Sequence, residues 1–127
     1  METIDTTPIR FPDAAHWESW LAERYDSAEV WLVIAKKSAS SPGLTIGEAL
    51  DVALCYGWID SHRRRLDEDH FLQRYSPRRA KSPWSQVNIE KAKVLIAAGR
   101  MREPGLTAFR AAGRRTPKAI VAQQNQM

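Results

Sequence analysis

The chain is poor in the residues and motifs that usually reveal a catalytic or metal site. It has a single cysteine among 127 residues, so an internal disulfide is impossible, which fits a reducing compartment. Its three histidines have no ligand spacing with a carboxylate or with the cysteine, which argues against a zinc site. A phosphate-binding glycine-rich loop, a nucleophile elbow and a dinucleotide fingerprint are also missing. The sequence therefore predicts no metal and no cofactor, and it leaves open whether the protein is an enzyme and which residues would be catalytic.

Long apolar segments are missing as well. No window approaches the roughly 18 apolar residues of a membrane span. Residues 1–13 carry Glu2 and Asp5 where a signal peptide would have an apolar region. We therefore expect a cytoplasmic protein without a membrane partner. The length suits one domain covering residues 1–127, and the polar, basic residues 114–127 are expected to fray.

Positive charge is concentrated in one segment, residues 62–81. This segment holds seven basic and three acidic side chains, a net charge of +4, and the whole chain also sums to +4. The remainder of the chain is therefore balanced. A solvated surface is the commoner explanation of such a cluster, and a surface that attracts anions is the alternative.

Local patterns predict a helix followed by a strand in the first third of the chain. Asp13 can cap a helix whose apolar face recurs at helical spacing. The side chains of that face are Trp17, Trp20, Leu21 and Tyr25. Residues 29–36 form a short apolar run rich in β-branched and aromatic residues, which predicts a central strand.

The middle of the chain predicts a helix and a hairpin. Thr45 and Glu48 form a capping box, and Gly57 is placed to end that helix in a left-handed turn. Residues 58–65 and 70–76 read as antiparallel strands joined by an acidic loop. Pro77 prevents the second strand from continuing.

Two further helices complete a small α+β domain. Ser82 followed by Pro83 predicts a helix start, and Gly99 its end. The apolar face expected of this helix consists of Val87, Val94, Leu95 and Ala98. A short helix follows from Pro104 to Phe109. The order α-β-α-β-β-α-α describes a small antiparallel sheet of about three strands packed with about four helices.

Cys55 is the first residue to consider as a nucleophile, and its position argues against that role. It falls in the last turn of a helix, where the partial negative charge of the free carbonyl groups opposes thiolate formation. We expect a buried thiol packed beneath Trp58.

Asp60 is the acidic residue with the most specific expectation. A carboxylate just inside a strand is costly to bury unless it is paired. A regular hairpin places residue 61 opposite residue 74, which would bring Asp60 next to Arg74. The pair would be either a structural salt bridge or part of a site in which Asp60 accepts a hydrogen bond from a ligand or orients an arginine that binds one.

The hairpin exit combines cations with a predicted helix start. Arg74, Arg78 and Arg79 surround Pro77, and free amides near Ser82–Ser85 would add to an anion site. The residues expected to line one ligand pocket are Asp60, Arg74, Arg78, Trp84, Ser85 and Asn88. Each of the last three also has an ordinary explanation, since Trp84 could be a core ring, Ser85 a helix cap and Asn88 a surface group.

These motifs resemble those of the YdeI/OmpD-associated family, also called bacteriocin-protection proteins. The residues that carry the resemblance are Ala53-Leu54-Cys55-Tyr56-Gly57-Trp58-Ile59-Asp60, Arg74-Tyr75-x-Pro77-Arg78, Trp84-Ser85-x-x-Asn88 and Gly99-Arg100-Met101-x-x-Pro104-Gly105. The resemblance implies a shared fold. The family label implies resistance to antimicrobial peptides or association with an outer-membrane porin, without a biochemical mechanism.

Three functions remain open from the sequence. The first is a cytoplasmic domain that binds a small anionic or aromatic ligand in the pocket described above. The second is a nucleic-acid-binding module that lays the basic residues 62–81 along phosphates and stacks rings on bases. The third is a structural or interaction domain whose motif residues form a self-satisfied polar network.

Overall fold

The helices and strands follow one another in the predicted order in a computed structural model, which describes residues 7–37, 39, 43–79 and 83–111. The elements are α1 (Ala14–Arg24), β1 (Val30–Ala35), α2 (Ile46–Cys55), β2 (Trp58–Arg65), β3 (His70–Pro77), α3 (Gln86–Ala97) and α4 (Glu103–Ala111). The α+β prediction and its element order are confirmed. No helix within these ranges has the length and apolar character needed to cross a membrane. The predicted tail 114–127 lies outside the described residues.

The strand order places β3 in the middle of the sheet. The order is β1-β3-β2, and both pairings are antiparallel. The expectation of a central β1 is therefore wrong, because β1 lies at an edge, where Ile9 forms a bridge to Leu32. All six residues of β1 are buried, which is why its sequence looks like that of a central strand.

The two faces of the sheet have different surroundings. Val30, Leu32 and Ile34 belong to the main hydrophobic core, whereas Trp31 is buried outside it. Side chains alternate between the faces along a strand. We call the side with Leu32 the core face and the side with Trp31 the outer face. The helix α2 packs against β1 and β2.

The tryptophans of the core explain part of the unusual tryptophan content. Trp17 and Trp58 are fully buried, with ring centroids 6.5 Å apart in an edge-on arrangement. Each indole nitrogen has a backbone acceptor, Ala49 O at 3.0 Å for Trp17 and Tyr25 O at 2.9 Å for Trp58. Burial of these large rings therefore leaves no indole donor unpaired.

A bulge interrupts the pairing of β2 with β3. The register passes from Asp60↔Tyr75 to Arg63↔Gln73, so that two residues of β2, 61 and 62, face one residue of β3. The nearly buried amide of Gln73 donates from Nε2 to the His62 carbonyl at 3.0 Å, and its Oε1 accepts from Arg63 at 3.1 Å. Gln73 thus supplies the hydrogen bond that the interrupted ladder would lack.

The predicted caps of the first two helices are confirmed. The Asp13 carboxylate accepts from the His16 amide at 3.0 Å, and Thr45 and Glu48 form the reciprocal capping box that opens α2. Gly57 has φ 77°, the left-handed conformation expected after α2.

The helix α3 differs from its prediction in both start and orientation. It begins at Gln86 after the cap Ser85, Pro83 precedes it without helical structure, and Ser82 lies outside the described residues. Its buried residues are Ile89, Ala92, Leu95 and Ile96. Val87 and Val94 are 68% and 67% exposed. The helix carries two apolar stripes, and the sequence alone did not distinguish the one that faces the core. Gly99, with φ 72°, ends the helix as predicted.

Close backbone contact fixes α4 against the end of α2. A Cβ added at Gly105 would lie 2.3 Å from the Cys55 carbonyl oxygen, and one at Gly57 would lie 2.7 Å from the Pro104 oxygen. The Arg102 amide also donates to the Cys55 carbonyl at 2.9 Å. The glycines of both family-like motifs therefore have a packing role.

Candidate functional site at the hairpin

Arg74 has a different partner from the one predicted. It donates to Oε1 of Glu29 from Nε at 2.9 Å and from Nη2 at 2.5 Å. Both side chains are mostly buried, with exposed fractions of 29% and 20%. The predicted salt bridge between Asp60 and Arg74 is therefore wrong.

Strand geometry explains why Asp60 and Arg74 do not meet. The predicted register agrees with the structure from the pair Trp58↔Pro77 to the pair Asp60↔Tyr75. Because neighbouring side chains point to opposite faces, Asp60 shares the core face with Tyr75, whereas Arg74 shares the outer face with Trp31. Glu29 precedes β1, and no rule for the hairpin could have indicated its approach to β3.

Arg78 and Trp84, both predicted site residues, are in contact. The Arg78 guanidinium carbon lies 4.0 Å from the Trp84 ring centroid, and Nη2 donates to the Pro83 carbonyl at 2.7 Å. Trp84 is 8% exposed and meets the Phe109 ring edge-on at 5.3 Å. Trp84 is thus a core ring that orients a guanidinium, and it offers little free surface for a ligand to stack on.

Asp60 influences two buried polar groups near this contact. Burial raises the pKa of the Tyr75 hydroxyl and the negative charge of Asp60 raises it further, while Arg63 acts in the opposite direction. Burial lowers the pKa of Arg78, and Asp60 opposes that change. Within the described residues, the Tyr75 hydroxyl and Arg78 Nε are both buried and have no hydrogen-bond partner. Such atoms are uncommon in folded proteins, and each calls for a physical explanation.

Ser85 and Asn88 stand at the first turn of α3. The Ser85 hydroxyl accepts a hydrogen bond from the backbone N–H of Asn88 at 3.1 Å, so Ser85 acts as the helix cap. Ser85 is exposed and Asn88 is half-buried. Their contact accounts for the spacing of the Trp-Ser-x-x-Asn motif without a ligand.

Two of the concavities that border the hairpin are lined by predicted site residues. The first, which we call the Arg78 cavity, has a volume of about 470 Å³, and its lining includes Tyr25, Tyr56, Trp58, Pro77, Arg78 and Glu103. The second, which we call the outer-face cavity, has a volume of about 480 Å³ and is lined by Pro8, Glu29, Trp31, His62, Arg64, Leu72 and Arg74. Because Arg74 and Arg78 line different cavities, the six predicted residues do not form one pocket.

Cys55 is buried as expected, with 1% of its surface exposed. Burial raises the pKa of its thiol to about 11. The thiol is therefore protonated at neutral pH and poorly suited to act as a nucleophile.

A comparison with protein families gives one match. The family described as a domain of unknown function (DUF8412) matches residues 9–108, which is most of the chain. The protein belongs to the DUF8412 family. The matched residues include the hairpin, the Arg78–Trp84 contact and α4 through Ala108. No curated protein and no solved structure matches the chain.

The sequence of this DUF8412 domain did not indicate the buried Tyr75 hydroxyl near Arg78 or the acidic and aromatic residues of the outer-face cavity. Tyr75 lies beside Asp60 because of the strand register, and it was noted only as part of a motif. Glu29 and Trp31 belong to the outer-face cavity because β1 pairs with β3. The only sequence signal for Glu29 was a carboxylate just before an apolar strand, where a basic partner in a neighbouring strand is needed if the carboxylate is buried.

Proposed function

We propose that this DUF8412 domain is a cytoplasmic protein that binds a small ligand at the junction of β3 with α3. The ligand would carry one anionic group near Arg78 and Tyr75, and its apolar or aromatic part would lie in the Arg78 cavity. The observation that carries the proposal is the presence of two buried donors, the Tyr75 hydroxyl and Arg78 Nε, that have no acceptor in the part of the chain that the structure describes. A carboxylate or phosphate oxygen could accept from such donors.

The charges near the junction favour a ligand of low charge. Arg78 contributes one positive charge, and the half-buried Asp60 lies close enough to influence the pKa of Arg78. Because the carboxylate offsets the guanidinium, and because its repulsion of an anion grows with the charge of that anion, a monoanion is favoured over a polyphosphate. Trp84 holds the guanidinium plane in place, which lowers the entropy lost on binding.

The walls of the Arg78 cavity suit an apolar or aromatic ligand body. Tyr25, Trp58 and Pro77 line this cavity together with Pro104 and Ala108 of α4. Tyr25 is 47% exposed, so part of an aromatic surface is accessible. A volume near 470 Å³ lies within the range of small-molecule sites, roughly 300–1,000 Å³.

The kinship with YdeI/OmpD-associated proteins remains a proposal that rests on motif residues. Asp60, Arg78 and Trp84 belong to those motifs and lie at or near the junction, which supports placing the site there. The bacteriocin-protection label supplies no ligand.

The two alternative functions have less support. Nucleic-acid binding needs basic side chains on one face, yet neighbouring arginines of β2 diverge. Arg63 contacts Phe71, a residue packed against the core, and Arg64 contacts Trp31 on the outer face. A purely structural role suits Ser85, whose contact with Asn88 is internal. It leaves the two unpartnered donors unexplained.

Thermal-shift measurements with the full chain test the proposal. The probes would be benzoate, inorganic phosphate and adenosine monophosphate, applied to the wild type, Arg78→Ala and Arg79→Ala. Arg79 is the adjacent, exposed arginine, so its substitution makes the same change in net charge. A ligand at 100 times its Kd stabilises the folded state by about 2.7 kcal/mol.

We expect at least one probe to stabilise the wild type and Arg79→Ala but not Arg78→Ala. The shift caused by the ligand is compared within each variant, because Arg78→Ala also removes the contact with Trp84. If every probe gives the same shift in Arg78→Ala as in the wild type, the ligand does not lie at the junction.

A further inference from the structure

The outer face of the sheet brings two guanidinium groups together from different strands. Arg64 belongs to β2, yet its guanidinium carbon lies 4.7 Å from the ring centroid of Trp31 on β1. Trp31 pairs in register with Arg74 of the central strand β3. The Arg64 side chain therefore crosses β3 and lies beside Arg74, and both line the outer-face cavity.

The bulge contributes to this arrangement. Ser61 and His62 are the two residues of β2 that face Arg74 across the interrupted register. The Ser61 hydroxyl is 3.5 Å from Arg74 Nη1, which is too long for a strong hydrogen bond, and His62 lines the cavity. Nη1 of Arg74 therefore makes only a weak hydrogen bond.

Glu29 adds a single acidic group to the cavity. Both of its hydrogen bonds with Arg74 use the same oxygen, Oε1. No hydrogen bond to its second oxygen, Oε2, is found within the described residues. Arg64 has no acidic partner in that part of the chain. The cavity therefore combines two cations with one anion, and each of the three groups retains some hydrogen-bonding capacity.

We propose that the outer-face cavity is a second binding site, for a small ligand with two carboxylates and one ammonium, the charge pattern of an acidic α-amino acid. One carboxylate accepts from Arg64 and the other from Arg74 Nη1, while the ammonium donates to Glu29 Oε2. The two arginines start from diagonal positions of neighbouring strands and line the same cavity, so two carboxylates joined by a short carbon chain could each reach one guanidinium. Stacking on Trp31 fixes the Arg64 plane for such recognition.

This site is independent of the proposed function at the junction. Its residues face the opposite side of the sheet from Asp60 and Tyr75, and it shares no lining residue with the Arg78 cavity. Substitutions at either site therefore separate the two proposals.

The test is a titration of the full chain with three related probes. Binding is measured from the indole NMR signal of Trp31 and by calorimetry. L-glutamate carries all three charges, glutarate lacks the ammonium, and L-glutamine lacks the second carboxylate. The variants are Arg64→Ala, Arg65→Ala and Arg78→Ala. Arg64 and Arg65 are both exposed, and replacing either by alanine removes one positive charge. Arg65→Ala is the control because Arg65 does not line the cavity.

We expect saturable glutamate binding at millimolar concentration in the wild type, in Arg65→Ala and in Arg78→Ala. Arg64→Ala should lower the affinity by about tenfold or more, since a charge-assisted bidentate contact is lost. Glutarate and glutamine should bind more weakly than glutamate. The proposal is overturned if glutamate does not saturate, if Arg64→Ala binds as well as Arg65→Ala, or if Arg78→Ala alone abolishes binding. Equal affinity for glutamate and glutarate would also overturn it, because Glu29 would then make no contact with the ligand.

Discussion

Replacing Tyr75 by phenylalanine is the sharpest test of the buried donors at the junction. Tyr75 has no exposed surface, and its hydroxyl has no hydrogen-bond partner among residues 7–37, 39, 43–79 and 83–111. A buried polar group without a partner costs about 1–3 kcal/mol of desolvation. Tyr75→Phe removes this cost while it keeps the ring that packs 5.7 Å from Trp17.

We therefore expect Tyr75→Phe to raise the free energy of unfolding of the ligand-free protein by about 1 kcal/mol. For a chain of this length, that change corresponds to an increase in Tm of about 3–6 °C. Urea unfolding gives the free energy directly, and an unchanged slope would show that the surface exposed on unfolding is unchanged. In the presence of a stabilising probe the variant should lose the shift that the wild type shows, because one donor to the ligand is gone.

Tyr56→Phe provides the matched control. The Tyr56 hydroxyl donates to Glu18 Oε2 at 3.2 Å, and the residue is 8% exposed. Loss of a hydrogen bond to a carboxylate should lower the free energy of unfolding by about 1.5–3 kcal/mol. The two tyrosine substitutions are chemically identical, and the structure predicts opposite signs for them.

The reasoning is refuted if Tyr75→Phe destabilises the ligand-free protein by about 1 kcal/mol or more. The hydroxyl would then have a partner in the free protein, such as a water molecule shared with Asp60. In that case the junction is a complete internal network, and the argument for a ligand from unpartnered donors fails.

Three further predictions concern packing, titration and capping. Gly105→Ala should destabilise the protein by about 1–3 kcal/mol or more, since the new Cβ would lie 2.3 Å from a backbone oxygen. Gly47→Ala in α2 is the control: its Cβ would meet no atom within 4 Å, so the change should be neutral or stabilising by up to about 1 kcal/mol. Chemical denaturation of both variants measures the two effects. The pKa of the Cys55 thiol is raised to about 11 in the folded protein, whereas a thiol in an unfolded chain has a pKa of about 8.5. The contribution of the protonated thiol to stability is therefore complete below about pH 8.5 and is lost as the pH rises through about 11. The stability difference between wild type and Cys55→Ala should therefore shrink over that interval. Thr45→Ala should cost about 0.5–2 kcal/mol through loss of the capping box, and an unchanged urea midpoint would contradict the assigned cap.

Features that depend on neighbours in sequence could be predicted without the structure. The cap at Asp13, the capping box of α2 and the left-handed turn at Gly57 each involve residues within a few positions of one another. The hairpin was predictable for the same reason, but its predicted register holds only for residues 58–60 and is shifted by one residue between the bulge and the turn. These local signals were sufficient to predict the fold class and the order of its elements.

The composition of the site could not be predicted, because it depends on contacts between distant segments. Glu29 and Arg74 are 45 positions apart, and their contact follows from the insertion of β3 between β1 and β2. The alternation of faces then separates Arg74 from Asp60, although the two residues occupy neighbouring positions in the hairpin. Arg78 and Trp84 were brought together correctly because only a short segment separates them.

The position of β2 at the edge of the sheet affects how the protein behaves at high concentration. An edge strand exposes backbone groups that can pair with a second chain, and folded proteins hinder such pairing with charges and bulges. In the described residues, β2 carries a bulge and the exposed, consecutive residues Arg63, Arg64 and Arg65. These arginines oppose aggregation through strand addition, whatever ligand the protein binds. A variant lacking all three would lose solubility along with charge, so binding to this surface is best mapped with single substitutions.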